Sequence, residues 1–587
     1  MEVSFAKQRK SLFEIFLMSW FPYVDKSWFF PKLYESFIFE PVFLARPRRF
    51  GKSLLVAALD DFFTGRTELF QGFQAEEFMN SRNFMPRPVI RLDMSEANAL
   101  SDGVDSLKRG MIYILDINAG RHGVELSKQD PEARFKELID LVASKSPDDS
   151  CVLLIDEYDS PVVSLIAKDR ELWDVKLIDA VRKVMRPFYR TIKSSGTYLR
   201  FTLLTGVTKF AIMGVFSELN NLKDISMAPK YAALCGFTQA ELEKNYAPFI
   251  EKFARQNETE VSALLKTLRD EYYGFSFDGK TRVYNPFSIF NFMSEGEVDN
   301  YWMDSGSDIF LRYFLQDKAA FLGNYSGLKI SADFAKHPGP IEQTPPEGFL
   351  YQAGYLTLRE DDDGKLSLDY PNGEVRKSMT ELSLLAMMDD SVTGAGKFYD
   401  ALSSCLRSGD PVIVFQHIRR VIADFSYQSL SAAADKLQDY TETESDGRVT
   451  RSPGEVVYQK FLLKYFTEMN VLAIKEKSGS LGRADLVVRF LEHTYVIELK
   501  MAKDGDAMDA AKKGMAQIRE KNYGSAYKNP VLLSLGLDKN RREARACVFS
   551  SSNLQGWLVA DSEGNISSMG RGENQDPDSG PPARDVS

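Results

Sequence analysis

Short apolar runs recur through the first 210 residues, and their spacing limits the folds that this chain can adopt. The runs at residues 89–92, 152–155 and 201–204 follow a first one that ends near residue 45, and helical patterns separate them. Strands buried on both faces read as continuous apolar runs, and strands that alternate with helices are typical of parallel sheets. The pattern predicts an α/β domain whose parallel sheet has helices on both faces.

Residues 38–55 are predicted to form a strand that contains the first run, then a basic loop, and then the start of a helix. The loop ends in Gly-Lys-Ser, as phosphate-binding loops do: backbone N–H groups surround the phosphates, the lysine reaches the β- and γ-phosphates, and the serine ligates Mg²⁺. Arg46 stands where that motif has its first glycine, so the loop alone leaves a chance match open. We assign four loop residues to nucleotide binding: Arg49, Gly51, Lys52 and Ser53.

A pair of acids supports this interpretation. The apolar run at 152–155 ends in Asp156 and Glu157; in such a strand the first carboxylate holds Mg²⁺ and the second polarises the attacking water. A buried strand with solvated terminal acids is the alternative. We therefore assign Ser53 and Asp156 to Mg²⁺, Asp156 to the nucleotide site as well, and Glu157 to catalysis.

The run at 201–204 ends in Thr205, and Lys209 follows shortly after it. A polar group at this end of the sheet would sense the γ-phosphate, and we assign Thr205 to the nucleotide site. Two interpretations of Lys209 are equally good: its side chain also senses the γ-phosphate, or it is simply exposed to solvent.

Two predicted strands near the C-terminus carry a second set of charged residues. Side chains alternate along a strand, so Glu498 and Lys500 share a face, and Asp485 can lie opposite them on the neighbouring strand. Together with Mg²⁺ they would form a hydrolytic centre: Asp485, Glu498 and the Leu499 carbonyl hold the ion, and Lys500 orients the water or stabilises the developing charge. A solvated hairpin is the alternative, because a Glu-x-Lys pattern is frequent by chance.

A helix is predicted after this hairpin. Its apolar side is formed by Met508, Ala511, Met515 and Ile518, and Lys513, Gln517 and Lys521 lie on another face. Glu455, on a preceding helix, is a candidate accessory acid.

Several motifs resemble those of AAA-ATPase-like proteins fused to a C-terminal PD-(D/E)XK nuclease superfamily domain. Besides the D…ExK pattern they are YVDKS at 23–27, RPRRFGKS at 46–53, DEYD at 156–159, TGVTKF at 205–210, NNL at 220–222, YNPFS at 284–288, YW at 301–302, QAGYL at 352–356 and QIREKNY at 517–523. The resemblance implies that Arg46 in place of glycine is a family trait, and that Gln517 contacts the substrate backbone or supports the catalytic site. It also implies ATP and Mg²⁺ as cofactors and a restriction-endonuclease-like αβ fold for the C-terminal domain.

We predict six segments: an AAA-ATPase-like P-loop domain at 1–235, a helical lid-like region at 236–320, a mixed region with a β-hairpin at 321–440, a linker at 441–454, a nuclease-like domain at 455–560 and a disordered tail at 561–587. The linker is polar and contains proline and glycine, and the tail is rich in Gly, Ser, Pro and Asp.

Charge is distributed unevenly along the chain. The net charge is −10, yet residues 451–550 contain 18 Lys and Arg against 12 Asp and Glu. This surplus favours DNA or RNA as a partner of the C-terminal domain, although a random fluctuation of surface charge would look the same.

The four scattered cysteines indicate no disulfide framework or zinc site, and we expect a cytoplasmic protein without a signal peptide or membrane span. Association into a homo-oligomer stays open.

Two functions remain at this point. The first is an ATP-binding and ATP-hydrolysing protein with a Mg²⁺-dependent nuclease domain, in which ATP regulates the cleavage of nucleic acid. The alternative is an ATP-driven regulatory or scaffold switch whose nuclease-like domain only binds nucleic acid or a partner. The intact triplet of Asp485, Glu498 and Lys500 favours cleavage, because a domain that only binds has no need of it.

Overall fold

The computed structural model describes residues 10–99, 102–166, 175–209, 221–302, 311, 315, 325–331, 334, 345–387, 396–423, 453–468, 471–474, 484–502, 506–523, 525, 527–538, 543–551, 555–560 and 566–569. The chain forms two compact units. The first contains residues 1–310 and 324–378, and the second contains residues 311–323 and 379–587.

The first unit is built on a five-stranded sheet. Its strands are β1 (Pro41–Ala45), β2 (Val89–Asp93), β3 (Cys151–Asp156), β4 (Leu199–Gly206) and β5 (Lys223–Asp224). They pair in the order β2-β3-β4-β1-β5, and every pair is parallel. Every residue of β1, β3 and β4 is buried, which requires cover on both faces and confirms the predicted fold class.

Helices surround this sheet. They are α1 (Leu12–Leu17), α2 (Phe29–Ser36), α3 (Lys52–Phe63), α4 (Ala75–Met79), α5 (Val104–His122), α6 (Pro131–Ala143), α7 (Ser160–Ile166) and α8 (Val175–Ser194). Short 3₁₀ turns lie at Thr67–Phe70, Met94–Glu96 and Pro229–Tyr231.

The remainder of the first unit mixes helices with small sheets. It contains α9 (Gln239–Gln256), α10 (Val261–Tyr272), β6 (Tyr273–Ser276), β7 (Arg282–Tyr284), α11 (Pro286–Glu295), β8 (Leu328–Lys329), α12 (Pro346–Ala353), β9 (Thr357–Glu360) and β10 (Leu366–Asp369). Thr238 and Glu241 form a capping box at the start of α9. The predicted hairpin is confirmed as β9 and β10, which pair antiparallel.

One stretch differs from the prediction. The segment predicted as a helical lid-like region, residues 236–320, also contains the antiparallel hairpin that β6 and β7 form. The turn between them contains Asp278 and Gly279, and Gly279 has a φ of 88°. That Asp-Gly pair is a hairpin signal that the helical periodicity on either side obscured.

Helix α13 (Gly373–Met387) carries the chain from the first unit to the second. The second unit continues with α14 (Gly396–Ser408), α15 (Pro411–Ala423), α16 (Pro453–Glu468), β11 (Leu472–Ile474), β12 (Leu486–Phe490), β13 (His493–Met501), α17 (Ala507–Glu520), β14 (Val531–Asp538), β15 (Glu543–Ser550), β16 (Gln555–Ala560) and β17 (Ile566–Met569). The strands form one mixed sheet in sequence order, in which only β13 and β14 are parallel.

Two features of the second unit extend beyond the predicted nuclease-like segment. Helix α15 packs against β15, so part of the predicted mixed region belongs to this unit. Strand β17 pairs with β16, so the tail predicted to be disordered contributes an edge strand, because pairing satisfies backbone groups that a polar composition alone would leave in water. Most of the predicted linker lies outside the described residues.

Candidate nucleotide and metal sites

The Gly-Lys-Ser loop joins the end of β1 to the start of α3. Gly51 has a left-handed φ of 80°, which a residue without a Cβ adopts at no steric cost, and Arg49 has a φ of 66°. Helix α3 begins at Lys52, and Ser53 is half-buried in its first turn. A helix N-terminus that follows such a turn presents backbone N–H groups to an anion.

Arg46 explains why the loop lacks its first glycine. The side chain is 1% exposed, and its guanidinium lies 3.9 Å from the centre of the Phe277 ring. Its Nη atoms donate to the carbonyls of Ala45, Ser226 and Tyr231 at 2.8–3.0 Å. Arg46 therefore ties the loop to neighbouring segments and faces the protein interior.

Lys52 brings a positive charge close to the predicted acids. Its Nζ donates to the carbonyls of Arg46 and Pro47, at 3.1 and 3.0 Å. Burial lowers the pKa of Lys52, and the nearby carboxylates of Asp156, Asp159 and Glu157 act in the opposite direction. The structure thus brings the lysine of the loop and the acids at the end of β3 and just after it into one electrostatic cluster.

Asp156 has the geometry of a metal ligand. It is fully buried at the end of β3, and its Oδ1 accepts from Thr205 Oγ1 at 2.5 Å and from Glu157 N at 3.1 Å. Its Oδ2 is also buried and has no hydrogen-bond partner among the described residues. A buried carboxylate oxygen without a partner is costly, and a cation would satisfy it, so Asp156 fits Mg²⁺.

Glu157 is held in an unusual backbone conformation. Its φ is 48°, a left-handed value that is rare for residues with a side chain. Burial raises the pKa of its carboxyl; Lys52 opposes this, and Asp156 adds to it. A half-buried carboxyl with a raised pKa is suited to polarise a water molecule.

Two nearby residues were not predicted as site residues. Asp159 is buried, and its carboxylate accepts from the backbone N–H groups of Val207 and Thr208 and from the Thr208 hydroxyl, which joins the end of β3 to the end of β4. Gln352 accepts from the backbone N–H of Lys209. Both belong to motifs that the family resemblance had singled out, which was the available signal.

Lys209 is not the solvent-exposed residue that one interpretation of the sequence suggested. It is 6% exposed, and its Nζ forms an ion pair with Asp224 at 2.7 Å. Its charge therefore lies against β5. Residues 210–220, which complete two of the motifs, lie outside the described residues.

Other motifs converge on the loop within the first unit. Arg49 Nη1 donates to the carbonyl of Tyr301 at 2.6 Å, and its guanidinium lies 3.9 Å from the centre of the Phe287 ring. A Cβ added to Gly354 would lie 2.7 Å from Pro47 and 2.9 Å from Trp302. The loop is therefore in direct contact with the segments that follow the parallel sheet.

The D…ExK residues of the second unit lie together. Asp485 precedes β12, and Glu498 and Lys500 lie on β13, which pairs antiparallel with β12. Leu499 N donates to Asp485 Oδ2 at 2.7 Å, and Asp485 N donates to Glu498 Oε2 at 3.3 Å. Both carboxylates are at most 1% exposed, so the solvated-hairpin alternative does not describe these acids.

Lys500 is the cation of this cluster. Its Nζ lies 3.1 Å from Glu498 Oε1. Burial alone would lower the pKa of Lys500, but the carboxylates of Glu498, Glu455 and Asp485 outweigh it and raise the pKa. Three carboxylates around one ammonium leave an excess of negative charge, which fits a divalent cation.

Neighbouring elements hold the triplet in place. The Glu455 carboxylate on α16 accepts from Met501 N at 2.9 Å, and Gln459 Nε2, which the sequence did not single out, donates to the carbonyl of Asp485 at 2.7 Å. On α17, Gln517 Nε2 donates to the hydroxyl of Tyr523 at 3.2 Å. Burial and the charges of Glu498 and Asp485 raise the pKa of the Tyr523 hydroxyl, so Gln517 contacts a residue that these carboxylates influence.

Helix α17 approaches the triplet closely at Gly514. A Cβ at that position would collide with Ser534 Oγ and would lie 3.1 Å from Lys500 Cγ and 3.4 Å from Glu498 Cγ. The predicted apolar side of the helix is confirmed: Ala511, Met515 and Ile518 are buried in the core, and Met508 packs against it.

No group of three or more His, Cys, Asp or Glu side chains has metal-binding geometry in the part of the chain that the structure describes. The carboxylates predicted to hold the ion, those of Asp485 and Glu498, are accordingly a pair and not a group of three. Carboxylate oxygens are the donors that Mg²⁺ prefers, and Mg²⁺ usually keeps several water ligands.

Comparison with known proteins agrees with this geometry. Residues 11–216 match the family described as a predicted AAA-ATPase, and residues 453–537 match the PD-(D/E)XK nuclease superfamily. The chain joins an AAA-ATPase-like domain to a PD-(D/E)XK nuclease superfamily domain. The AAA-ATPase-like match ends just after β4, and the nuclease superfamily match begins with α16 and ends within β14. The resemblance stated from the motifs is confirmed.

A relative is similar to this chain over most of its length. An uncharacterized protein in the vnfD 5' region of Azotobacter chroococcum mcd 1 is 29% identical over 546 residues, which cover 91% of this chain and 95% of the relative. An alignment of that extent includes most of both matched segments of this chain. None of the described helices is long and apolar enough to cross a membrane.

Proposed function

We propose that this chain is a nucleotide-controlled, metal-dependent nuclease. ATP binds at residues 46–53, and nucleic acid is cut where Asp485, Glu498 and Lys500 converge. The observation that carries the proposal is the triplet itself, because two buried carboxylates beside a lysine are costly unless they perform chemistry or hold a cation.

The residues of the triplet have different roles in phosphodiester hydrolysis. Asp485 and Glu498 would hold Mg²⁺, which polarises a phosphate oxygen and lowers the pKa of a bound water when it is present. Lys500 has a raised pKa and is protonated at neutral pH, so it donates to the attacking water or to the scissile phosphate and does not act as the base. Gln517 supports the site through Tyr523.

In the first unit, Lys52 and the N-terminus of α3 bind the phosphates of ATP. Ser53 and Asp156 would hold the accompanying Mg²⁺, and the Thr205 hydroxyl fixes the Asp156 carboxylate. Glu157 polarises the water that attacks the γ-phosphate, which its half-buried position and raised pKa favour.

The nucleic acid is attracted by the positive surplus of residues 451–550. Binding is therefore expected to weaken as salt increases, since released counterions drive it. Asp485→Ala would keep this binding, because the substitution removes a carboxylate that repels phosphate.

The test is Mg²⁺-dependent cleavage of single- and double-stranded DNA and RNA by wild type and by Asp485→Ala, Glu498→Ala and Lys500→Ala. Each substitution is expected to abolish cleavage and to leave ATP hydrolysis intact. Asp509→Ala, which removes an exposed carboxylate from α17, is the matched control and should cut normally. Absence of cleavage by wild type under every condition, or full activity of Asp485→Ala, would overturn the proposal.

The second candidate is an ATP-driven switch without cleavage. It is favoured by the contacts of Arg49 with Tyr301 and of Pro47 with Gly354, through which nucleotide binding at the loop would move neighbouring segments of the first unit. A wild-type protein that binds nucleic acid, responds to ATP and cuts nothing would establish this function.

A further inference from the structure

The first unit contains a polar cavity of about 510 Å³ that is separate from the nucleotide loop. Its walls come from α9, α10, the β6–β7 hairpin, β9 and the segment before α13, and none of its lining residues belongs to residues 46–53 or to the ends of β3 and β4. Cavities of roughly 300–1,000 Å³ are of the size that holds small molecules.

Three arginines line this cavity: Arg269, Arg282 and Arg359. Asp270 is the single carboxylate among the lining residues, so the walls carry a surplus of positive charge. None of the three arginines forms an ion pair with a carboxylate of the described residues.

Arg359 is fixed in position. Its guanidinium donates to the carbonyls of Gly274 at 2.5 Å and of Pro371 at 3.1 Å. Burial and, to a smaller extent, the charge of Arg282 lower its pKa to about 10, although the charge of Asp369 acts in the opposite direction. Two guanidinium groups thus repel each other at a site where a bound anion would relieve the repulsion.

Tyr273 adds an aromatic ring to the same wall, half-buried and 4.7 Å from the ring of Tyr284. Arginine forks match phosphate oxygens in pairs, and an aromatic ring offers a flat surface to a base or a sugar. We propose that this cavity binds a phosphorylated small molecule of nucleotide size, with its phosphates on Arg269, Arg282 and Arg359. The ligand is distinct from the ATP bound at the loop.

The test uses the full chain carrying Lys52→Ala, so that the loop does not contribute phosphate binding. Titration calorimetry with pyrophosphate, ADP and ribose 5-phosphate is expected to show saturable binding of at least one. Adding Arg282→Gln or Arg269→Gln should weaken that binding about tenfold or more, since a charge-assisted hydrogen bond is lost. Both arginines are exposed, so the melting temperature should stay that of the Lys52→Ala protein.

The matched control is Lys266→Gln, which removes an exposed positive charge one turn earlier on α10 and should leave the affinity unchanged. If ADP binds more tightly than pyrophosphate, the ligand is a nucleotide. If ribose 5-phosphate binds as tightly as ADP or more tightly, the ligand is a sugar phosphate. No saturable binding of any probe would overturn the proposal. So would equal weakening by Lys266→Gln and Arg282→Gln.

Discussion

Arg46 places a positive charge in the interior of the first unit, where three backbone carbonyls and the Phe277 ring surround it. Restoring the usual glycine of a phosphate-binding loop should therefore harm this protein. We expect Arg46→Gly to lower the free energy of unfolding by about 3 kcal/mol or more, because hydrogen bonds to charged groups contribute about 1.5–3 kcal/mol each. Urea denaturation measures the effect. Arg48→Gly, at an exposed position of the same loop, is the control; equal losses in both variants would contradict the structural role of Arg46.

Glu374 links two of the family motifs. It is fully buried and accepts from Ser288 Oγ and Tyr301 N, and burial raises its pKa to about 8. The folded protein keeps this proton up to about pH 8, whereas the unfolded chain releases it near pH 4.5, so stability falls as the pH rises through this window.

The shift of the Glu374 pKa from 4.5 to about 8 changes the free energy of unfolding by roughly 5 kcal/mol at most. Glu374→Gln stays neutral, and we expect its free energy of unfolding to change less between pH 5 and pH 9 than that of wild type. The exposed Glu251→Gln is the control and should follow the wild-type curve. Parallel curves for wild type and Glu374→Gln would contradict the assigned pKa.

At the residue scale, the structure brings together the D…ExK residues and places Lys52 near Asp156 and Glu157, and the roles assigned to these residues stay predictions. The loop lysine, the Asp-Glu pair and the D…ExK triplet were each assigned from residue type and position alone. The roles of Asp159 and Glu374 could not be predicted, because the residues that bury these carboxylates and donate hydrogen bonds to them lie far away in the sequence.

At the scale of the elements, the close packing of α17 requires a residue without a side chain at one position. Gly514 lies where a methyl group would collide with Ser534 Oγ and press on Lys500. We expect Gly514→Ala to shift Lys500 and to reduce cleavage roughly 100-fold, since displacements of about 1 Å can cost that much. The measurement is the cleavage rate at saturating Mg²⁺.

Two further variants separate this effect from a general loss of stability. Gly120→Ala makes the same substitution in α5, where nothing lies within 4 Å, and should cut normally. Gly514→Ala combined with Ser534→Gly removes the nearest clash and should regain part of the activity. A Gly514→Ala protein as active as wild type would show that the close approach has no function.

The elements whose pattern is periodic or continuous were predicted well. The parallel strands, the β9–β10 hairpin and the β12–β13 hairpin appear where the sequence placed them. The β6–β7 hairpin and β17 were missed, because short strands such as these are stabilised by pairing partners and not by their own composition.

At the scale of the whole molecule, the second unit needs more chain than its family match. Tyr495 OH donates to the carbonyl of Leu406, and His417 Nε2 lies 2.7 Å from Tyr465 OH, so α14 and α15 complete its core. We expect a fragment of residues 379–587 to unfold cooperatively on heating, and a fragment of residues 450–560 to melt at least about 10 °C lower or not to fold. Equal melting temperatures would show that these helices are dispensable.

The extent of this unit could not be predicted from the sequence. The polar stretch at 441–454 looks like a boundary, and local composition does not reveal that helices before it pack on strands after it. Such contacts between distant segments are a property of the fold as a whole.

The central claim is that nucleotide at Lys52 controls cleavage at Asp485, Glu498 and Lys500. The direct measurement is the rate at which a labelled nucleic acid is cut in Mg²⁺, without nucleotide, with ATP and with ADP, by wild type, Lys52→Ala and Glu157→Gln. The account predicts that ATP changes the wild-type rate roughly 5- to 150-fold. Lys52→Ala should not respond, and Glu157→Gln should stay at the ATP-bound rate because it binds ATP without hydrolysing it. A wild-type rate independent of nucleotide, or a Lys52→Ala protein that responds like wild type, would contradict the claim.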